Sequence, residues 1–142
     1  MKFLLSIITM MTLLSCERYQ VTLNEREIYT PPILFSDFQI LDLALRTCVT
    51  QAISDQKISK PQDLKLLNCT YAAITQLDGL ERFTNLETIN FSNNKLADIK
   101  PLMFFGGLKR LDLRGNSGLS CKDLRSLELL LAADLLKPQS CQ

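Results

Sequence analysis

The hydrophobic residues between positions 86 and 108 follow a mixed rhythm that neither a helix nor a strand explains by itself. Ile89 and Phe91 alternate as one face of a strand does, whereas from Leu96 onward large apolar residues recur at every third position. The stretch therefore predicts a short strand, a turn through Asn94 and a tighter helical return, with all the apolar side chains inside one coil.

This pattern recurs with a spacing of 22 residues, so the chain contains a repeat. A shift toward the amino terminus fills every apolar slot, and the residues are Leu64, Leu67, Cys69, Ile74, Leu77, Leu80 and Phe83. A shift toward the carboxyl terminus fills the first four positions, and these residues are Leu108, Leu111, Leu113 and Asn116. The spacing then slips by one residue at Leu119. We expect about three coils.

The pattern L-x-x-L-x-L-x-x-N-x-L resembles leucine-rich repeats, and its 22-residue length, with Leu96-Ala-Asp-Ile99-Lys-Pro-Leu102, is similar to the bacterial internalin-type subclass. The resemblance implies an α/β fold, a short solenoid over residues 64–119 with parallel strands on its concave face. Ala72 takes the asparagine slot of the first repeat, so we expect either a water molecule or a looser turn there.

Helices are expected to cover both ends of this solenoid. In residues 33–63, Ser36-Asp37 can cap a helix whose apolar stripe consists of Phe38, Leu41, Leu45 and Val49. This segment also resembles the helical cap that precedes such repeats in bacterial surface proteins. In residues 120–142, Ser120 and Asp123 have the form of a capping box. A leucine stripe follows, made of Leu124, Leu127, Leu130 or Leu131, and Leu135, and Pro138 ends the predicted helix.

The amino terminus has the features of a secretory signal. Lys2 precedes an apolar run over residues 3–14, which is too short to span a ~30 Å hydrocarbon core as a helix. Residues 13–16, Leu-Leu-Ser-Cys, also resemble the lipobox of bacterial lipoproteins, which implies diacylation of Cys16 after removal of residues 1–15. A plain signal peptide with an incidental cysteine is the alternative. Residues 16–32 would form the lipid anchor and a tether, and Glu17 favours the outer membrane in a Gram-negative organism.

Composition narrows the possible chemistry. The 142 residues include 16 basic and 15 acidic side chains, so no basic excess indicates a nucleic-acid partner. The sequence has no histidine, which removes the commonest general base and a common metal ligand. Asp63, Asp112 and Asp123 are not paired at a spacing typical of acid-base catalysis, and no nucleophile motif is present. We therefore expect no enzyme activity, no cofactor and no metal site.

Besides Cys16, four cysteines remain, and an even number in an exported chain favours disulfides. Four cysteines allow three pairings. Cys48 lies on the predicted entry helix beside the first strand, which contains Cys69, while Cys121 and Cys141 flank the predicted exit helix. We expect these two pairs, although a helix over 122–136 would strain the second, and Cys69 could instead be only a small core residue.

Outward residues of the predicted sheet should align in rows that a partner could contact. The rows are Asn68, Asn90 and Asp112; Leu66, Thr88 and Arg110; and Thr70, Ser92 and Arg114. They are polar and become positive toward the carboxyl end. Three strands give a face of roughly 300 Å², well below the ~800 Å² per partner of a standard interface. A solvated surface without a ligand is the alternative.

The sequence favours a membrane-anchored, non-catalytic recognition or adhesion module of the bacterial cell envelope. Its partner would be a protein or an envelope component. The alternative is an inhibitor or immunity-type lipoprotein that blocks a toxin or enzyme in the envelope.

Overall fold

The computed structural model describes residues 21–23 and 26–142, with side chains from residue 30 onward, and divides the chain into two compact units, residues 1–33 and 34–142. In the first unit, strand β1 (Val21–Leu23) pairs antiparallel with strand β2 (Arg26–Tyr29). The expected signal peptide, Cys16 and Glu17 lie outside the described residues.

A four-stranded parallel sheet organises the second unit. Its strands, in spatial and chain order, are β3 (Leu66–Asn68), β4 (Thr88–Asn90), β5 (Arg110–Asp112) and β6 (Asp134–Leu136). Residues 66, 88 and 110 are direct neighbours across the sheet, so the first three strands follow the 22-residue period. The fourth strand is one more than the period predicts, and it starts opposite Arg110.

The core lies between this sheet and the segments that connect its strands. Helix α1 spans Leu43–Gln56 and helix α2 spans Cys121–Leu130. Short 3-10 helices cover Pro61–Asp63, Leu80–Arg82, Lys100–Phe104 and Gln139–Cys141. Every apolar position that the 22-residue pattern marks between residues 64 and 113 is buried, which confirms that these side chains form the core.

Helix α1 begins later than the sequence predicts, because Asp42 and not Ser36-Asp37 is its N-cap residue. Asp42 Oδ1 accepts a hydrogen bond from the Leu45 amide at 2.9 Å. Leu41, which was expected in the apolar stripe, is 82% exposed. Phe38 precedes the helix and packs edge-on against Phe83, with ring centroids 5.5 Å apart. The predicted helix start at Phe38 is therefore wrong, whereas the burial of Leu45 and Val49 is confirmed.

The predicted helix over residues 122–136 is also only partly correct. Ser120 is the N-cap of α2 and accepts from the Asp123 amide, but the helix ends at Leu130. The chain then turns and pairs with β5, so residues 134–136 form β6. Because the helix ends at Leu130, Cys121 and Cys141 approach to a Cα–Cα distance of 5.2 Å and form a disulfide.

Two buried asparagines satisfy the main chain of the coil that precedes each of them. Asn94 Oδ1 accepts from the amides of Ala72 and Ile74 at 3.1 and 3.0 Å, and its Nδ2 donates to the Cys69 carbonyl at 2.7 Å. Asn116 bonds the Leu96 amide in the same way, at 3.1 Å. Asn94 thus supplies side-chain hydrogen bonds to the turn around Ala72, which has no asparagine of its own and contains a second left-handed residue, Ala73 at φ +63°.

The first strand is joined to α1 on its outer edge. Cys48 of the helix forms a disulfide with Cys69, which follows β3, with Cα atoms 5.8 Å apart. Gln56 Nε2 donates to the Leu66 carbonyl at 2.9 Å. Cys69 is thus both a buried core residue and a disulfide partner, and both cysteine pairings expected from the sequence are present in the structure.

Candidate functional site

The side chains that point away from the core along the four strands form a continuous surface, which we name the outer sheet face. Its members are Leu66, Asn68, Thr70, Thr88, Asn90, Ser92, Arg110, Asp112, Arg114, Asp134 and Leu136. The strand pairing places the first two expected rows in register. In the third row, the Thr70 and Ser92 hydroxyl oxygens lie 3.0 Å apart.

The members of this face differ in how accessible they are. Asn68 and Thr70 are exposed, as are Arg110 and Arg114. Ser92 and Asp112, by contrast, are 7% and 5% exposed, so they offer little surface to a partner. The sequence placed these two residues in the rows correctly but did not reveal that neighbouring side chains cover them.

Arg114 covers the Asp112 carboxylate with a bidentate ion pair. Its Nε donates to Oδ1 at 3.0 Å and its Nη2 donates to Oδ2 at 2.6 Å. Burial raises the pKa of Asp112, but the hydrogen bonds and the charge of Arg114 outweigh burial, and the net pKa is below the ordinary value. Asp112 therefore remains ionised and holds Arg114 in one orientation.

Other charges on and beside the face are also balanced. Arg110 Nη1 lies 2.9 Å from Asp134 Oδ2. Beside the face, the Glu87 carboxylate forms ion pairs with Lys109 and Lys65, and their hydrogen bonds lower the pKa of Glu87. The expected positive end of the face is therefore corrected, because each arginine has an acidic partner. Asp134 was missed because it was assigned to a helix.

Apolar side chains extend this surface past strand β3. Leu66 is half exposed, and Tyr71, just beyond the strand, is 78% exposed. Tyr71 has a left-handed backbone with φ +54°, as do Asn93 and Gly115 at the equivalent positions of the next two coils. A bulky residue is rare in this conformation. The sequence analysis missed Tyr71, although the 22-residue spacing from Asn93 and Gly115 marks its position.

A shallow apolar cavity of about 530 Å³ lies next to this region. Leu43, Ala44, Thr47 and Cys48 of α1 line one side, and Ala72, the residue after Tyr71, lines the other. The outer sheet face is thus polar across β4 and β5 and has an apolar neighbour at its β3 end.

The described residues provide no metal site and no membrane span. Within residues 21–23 and 26–142, acidic and cysteine side chains form no cluster that could hold a metal ion. In the same part of the chain, no helix is long and apolar enough to cross a membrane.

Comparison with known proteins identifies the family to which the repeats belong. Residues 40–137 match the family model described as the leucine-rich-repeat (LRR) domain of the endo-beta-N-acetylglucosaminidase EndoS. The match covers α1, all four parallel strands and α2. No curated protein matches the chain. Since the family model spans more than half of the sequence, the chain belongs to the EndoS LRR-domain family of leucine-rich-repeat proteins.

Proposed function

We propose that this protein is a non-catalytic module that binds a protein partner through its outer sheet face. Membership of an LRR family carries the proposal, since stacked repeats of this kind present extended binding surfaces. The register of the four strands supports it, because it aligns side chains such as Asn68, Thr88 and Arg110 on one continuous surface.

The size of the face sets what kind of contact is possible. Four strands at ~4.8 Å spacing and roughly 20 Å of height give about 400 Å², half of the ~800 Å² per partner in a standard interface. Leu66, Tyr71 and the apolar cavity at the β3 end can supply further area. Tyrosine and arginine are frequent binding hot spots, so Tyr71 and Arg110 are the side chains that we assign as anchors.

We further propose that the second unit is a short internalin-like solenoid whose ends are covered by α1 and by α2 with the carboxyl-terminal segment. The Cys48–Cys69 disulfide and the Gln56 hydrogen bond join α1 to the first strand. The Cys121–Cys141 disulfide joins the carboxyl-terminal segment to the start of α2. The first strand is thus joined to α1 in addition to its pairing in the sheet, and the segment that follows β6 is joined to α2.

We propose the cell envelope as the location, with the protein anchored by acylated Cys16 after removal of residues 1–15. Two disulfides support this proposal, because disulfides persist in oxidising compartments and are rare in the cytosol. Residues 16–32 would then tether the repeats to the membrane, and Glu17 favours the outer membrane in a Gram-negative organism. Mass spectrometry of the mature amino terminus tests this, since an unmodified Cys16 would refute it.

A recognition role also fits the chemistry of the carboxylates. Asp112 is engaged by Arg114, and the chain contains no histidine that could act as a general base. Hydrolase activity of the purified protein that is lost on Asp112→Asn would overturn the non-catalytic assignment.

Partner capture after charge reversal tests the binding surface. A partner protein is first captured and identified with the wild-type protein. Arg110→Glu should retain that partner at least tenfold less well, because it removes a cation from the centre of the face. Lys122→Glu, at an exposed position of α2, is the matched control and should leave retention unchanged. Arg114 is left intact, since its loss would strip buried Asp112 of its partner. Equal retention by both variants would remove the outer sheet face as the binding surface.

A further inference from the structure

A cavity of about 420 Å³ lies between the turn after β5 and the segment that follows β6. Arg114, Gly115 and Ser117 line it from the turn, and residues 137–142, except Cys141, line it from the other side. The charged side chains in the lining are Arg114 and Lys137. The lining contains no acidic side chain.

Both cations are held in place by carboxylates that lie outside the lining. Arg114 uses Nε and Nη2 for Asp112, which leaves Nη1 without a hydrogen bond to any residue in the described part of the chain. Lys137 Nζ lies 3.0 Å from each oxygen of Glu128. A guanidinium that is already fixed loses little side-chain entropy when it binds a second oxyanion.

The rest of the lining supplies neutral donors and room for a ligand. Ser117 and Ser140 carry hydroxyl groups, and Gln139 carries an amide. Gly115 adds no side chain to the wall, and at φ +75° a Cβ atom there would lie 2.3 Å from Asn93 Oδ1, so a side chain is disfavoured. These groups can hydrogen-bond an oxyanion from several directions.

The wall formed by the carboxyl-terminal segment is covalently fixed. The Cys121–Cys141 disulfide joins this segment to α2, and the Cys141 amide donates to the Pro138 carbonyl at 2.9 Å. The cavity is therefore preformed, and Arg114 belongs both to it and to the outer sheet face.

We propose that this cavity, which we name the carboxyl-terminal basic cavity, binds a carboxylate side chain from an acidic segment of the partner protein. The inference rests on the proposed protein-binding function and specifies the partner's chemistry. A singly charged carboxylate fits better than a phosphate dianion, because Asp112 and Glu128 already neutralise the two cations. The cavity would thus fix the position of the partner at the β6 end of the face.

The experiment is an NMR titration of the disulfide-bonded protein with two matched peptides, acetyl-Gly-Ser-Asp-Asp-Ser-Gly-amide and its Asn-Asn counterpart. The protein carries Gly-Ser-Gly after Gln142, so that no terminal carboxylate lies beside the cavity. We expect the Asp-Asp peptide to shift the amides of residues 114–117 and 137–142, and to bind at least tenfold more tightly than the Asn-Asn peptide. Inorganic phosphate should bind more weakly than the Asp-Asp peptide.

Variants separate recognition from folding. Lys137→Gln should weaken binding of the Asp-Asp peptide at least fivefold. The variant should still give the spectrum of a folded protein, because Glu128, the partner of Lys137, is solvent-accessible. The double variant Asp112→Asn/Arg114→Gln, which replaces the ion pair by two amides, should abolish the preference for Asp over Asn. Arg125→Gln, an exposed cation on α2 outside this lining, is the control and should bind like the wild type.

Equal affinity for the two peptides, or unchanged binding by Lys137→Gln, would overturn the carboxylate assignment. Tighter binding of phosphate than of the Asp-Asp peptide would also overturn it. None of these three results would affect the proposed protein-binding function, which is tested by partner capture with the Arg110 and Lys122 variants. Conversely, unchanged partner capture by Arg110→Glu would refute the outer sheet face as the binding surface. The result of the peptide titration would not depend on that outcome.

Discussion

Asn94→Ala tests how the repeats hold together, since this one buried side chain joins two consecutive coils. Its Oδ1 accepts from the Ala72 and Ile74 amides, and its Nδ2 donates to the carbonyls of Cys69 and Phe91 at 2.7 and 2.9 Å. Alanine removes these four bonds and a longer one to the Ser92 carbonyl at 3.3 Å, and it leaves the Ala72 and Ile74 amides and the Cys69 carbonyl without the asparagine as a partner. At about 1 kcal/mol net for each bond, we expect a loss of about 4 kcal/mol.

Such a loss is large for a small domain, whose total stability is typically about 5–15 kcal/mol. Urea unfolding followed by circular dichroism measures it directly. With a slope of about 1.5 kcal/mol per molar urea, the midpoint should fall by about 2.5 M. Asn68→Ala is the matched control, because Asn68 is exposed on the outer sheet face, and its midpoint should change by less than about 0.3 M.

A loss below about 1 kcal/mol for Asn94→Ala would refute the reasoning. It would mean that water or a relaxed turn satisfies the Ala72 and Ile74 amides as well as the asparagine does. An equal loss at Asn68 would also refute it, because the effect would then belong to asparagine in general and not to this buried position.

Three further changes test how α1 and the residues just before it are joined to the repeats, by the same unfolding measurement. Asp42→Asn should cost about 1–2 kcal/mol at pH 7, because Oδ2 accepts the Thr75 and Gln76 amides at 2.9 and 3.1 Å and an amide nitrogen would oppose those donors. Burial raises the pKa of Asp42, but these hydrogen bonds outweigh burial, and the net pKa of the folded protein is lowered. The stability that ionised Asp42 contributes is therefore fully present above the unfolded pKa of about 3.9 and is lost as the pH falls through the lower folded pKa. A difference in unfolding free energy between wild type and variant that does not shrink in acid would contradict the assignment. Gly79→Ala should cost about 2–3 kcal/mol, since a Cβ atom would lie 2.1 Å from the Gln39 carbonyl oxygen at φ +93°, whereas Gly106→Ala, with open space around it, should be nearly neutral. Replacing both Cys48 and Cys69 by serine should cost about 3 kcal/mol, and an unchanged midpoint would show that the bridge does not constrain the unfolded chain.

The repeat itself could be predicted from the sequence because each of its parts is set locally. A buried strand residue such as Ile89 and a turn asparagine such as Asn94 recur at fixed positions, and one shift of 22 residues tests them all at once. The same shift gives the register of the sheet, since equivalent residues such as Thr88 and Arg110 become direct neighbours.

The two helix boundaries could not be predicted because they depend on distant residues. Asp42 caps α1 through the Leu45 amide and also accepts the Thr75 and Gln76 amides, more than thirty residues away, whereas Ser36-Asp37 has an equally good local capping pattern. Residues 131–136 are rich in leucine and alanine, which favour a helix, but pairing with β5 overrides that propensity.

The candidate site could be predicted only in part, because the partners of its side chains also come from distant parts of the chain. Arg110 and Arg114 were expected to make one end of the face positive, but Asp134 reaches Arg110 from the strand that was expected to be helical. Tyr71 could not be predicted as a site residue, because its exposure depends on a left-handed turn, a backbone conformation that tyrosine rarely adopts. Side-chain partners and exposure thus required the three-dimensional packing.

Site-specific photo-crosslinking in cells tests the central claim most directly. A photoreactive amino acid at Thr88 lies at the centre of the outer sheet face, and one at Lys100 lies in a 3-10 helix outside the sheet. The account predicts that Thr88 captures one defined protein, identified by mass spectrometry, and that Lys100 does not capture it. Capture of the same proteins from both positions, or of none from Thr88, would contradict binding through this face.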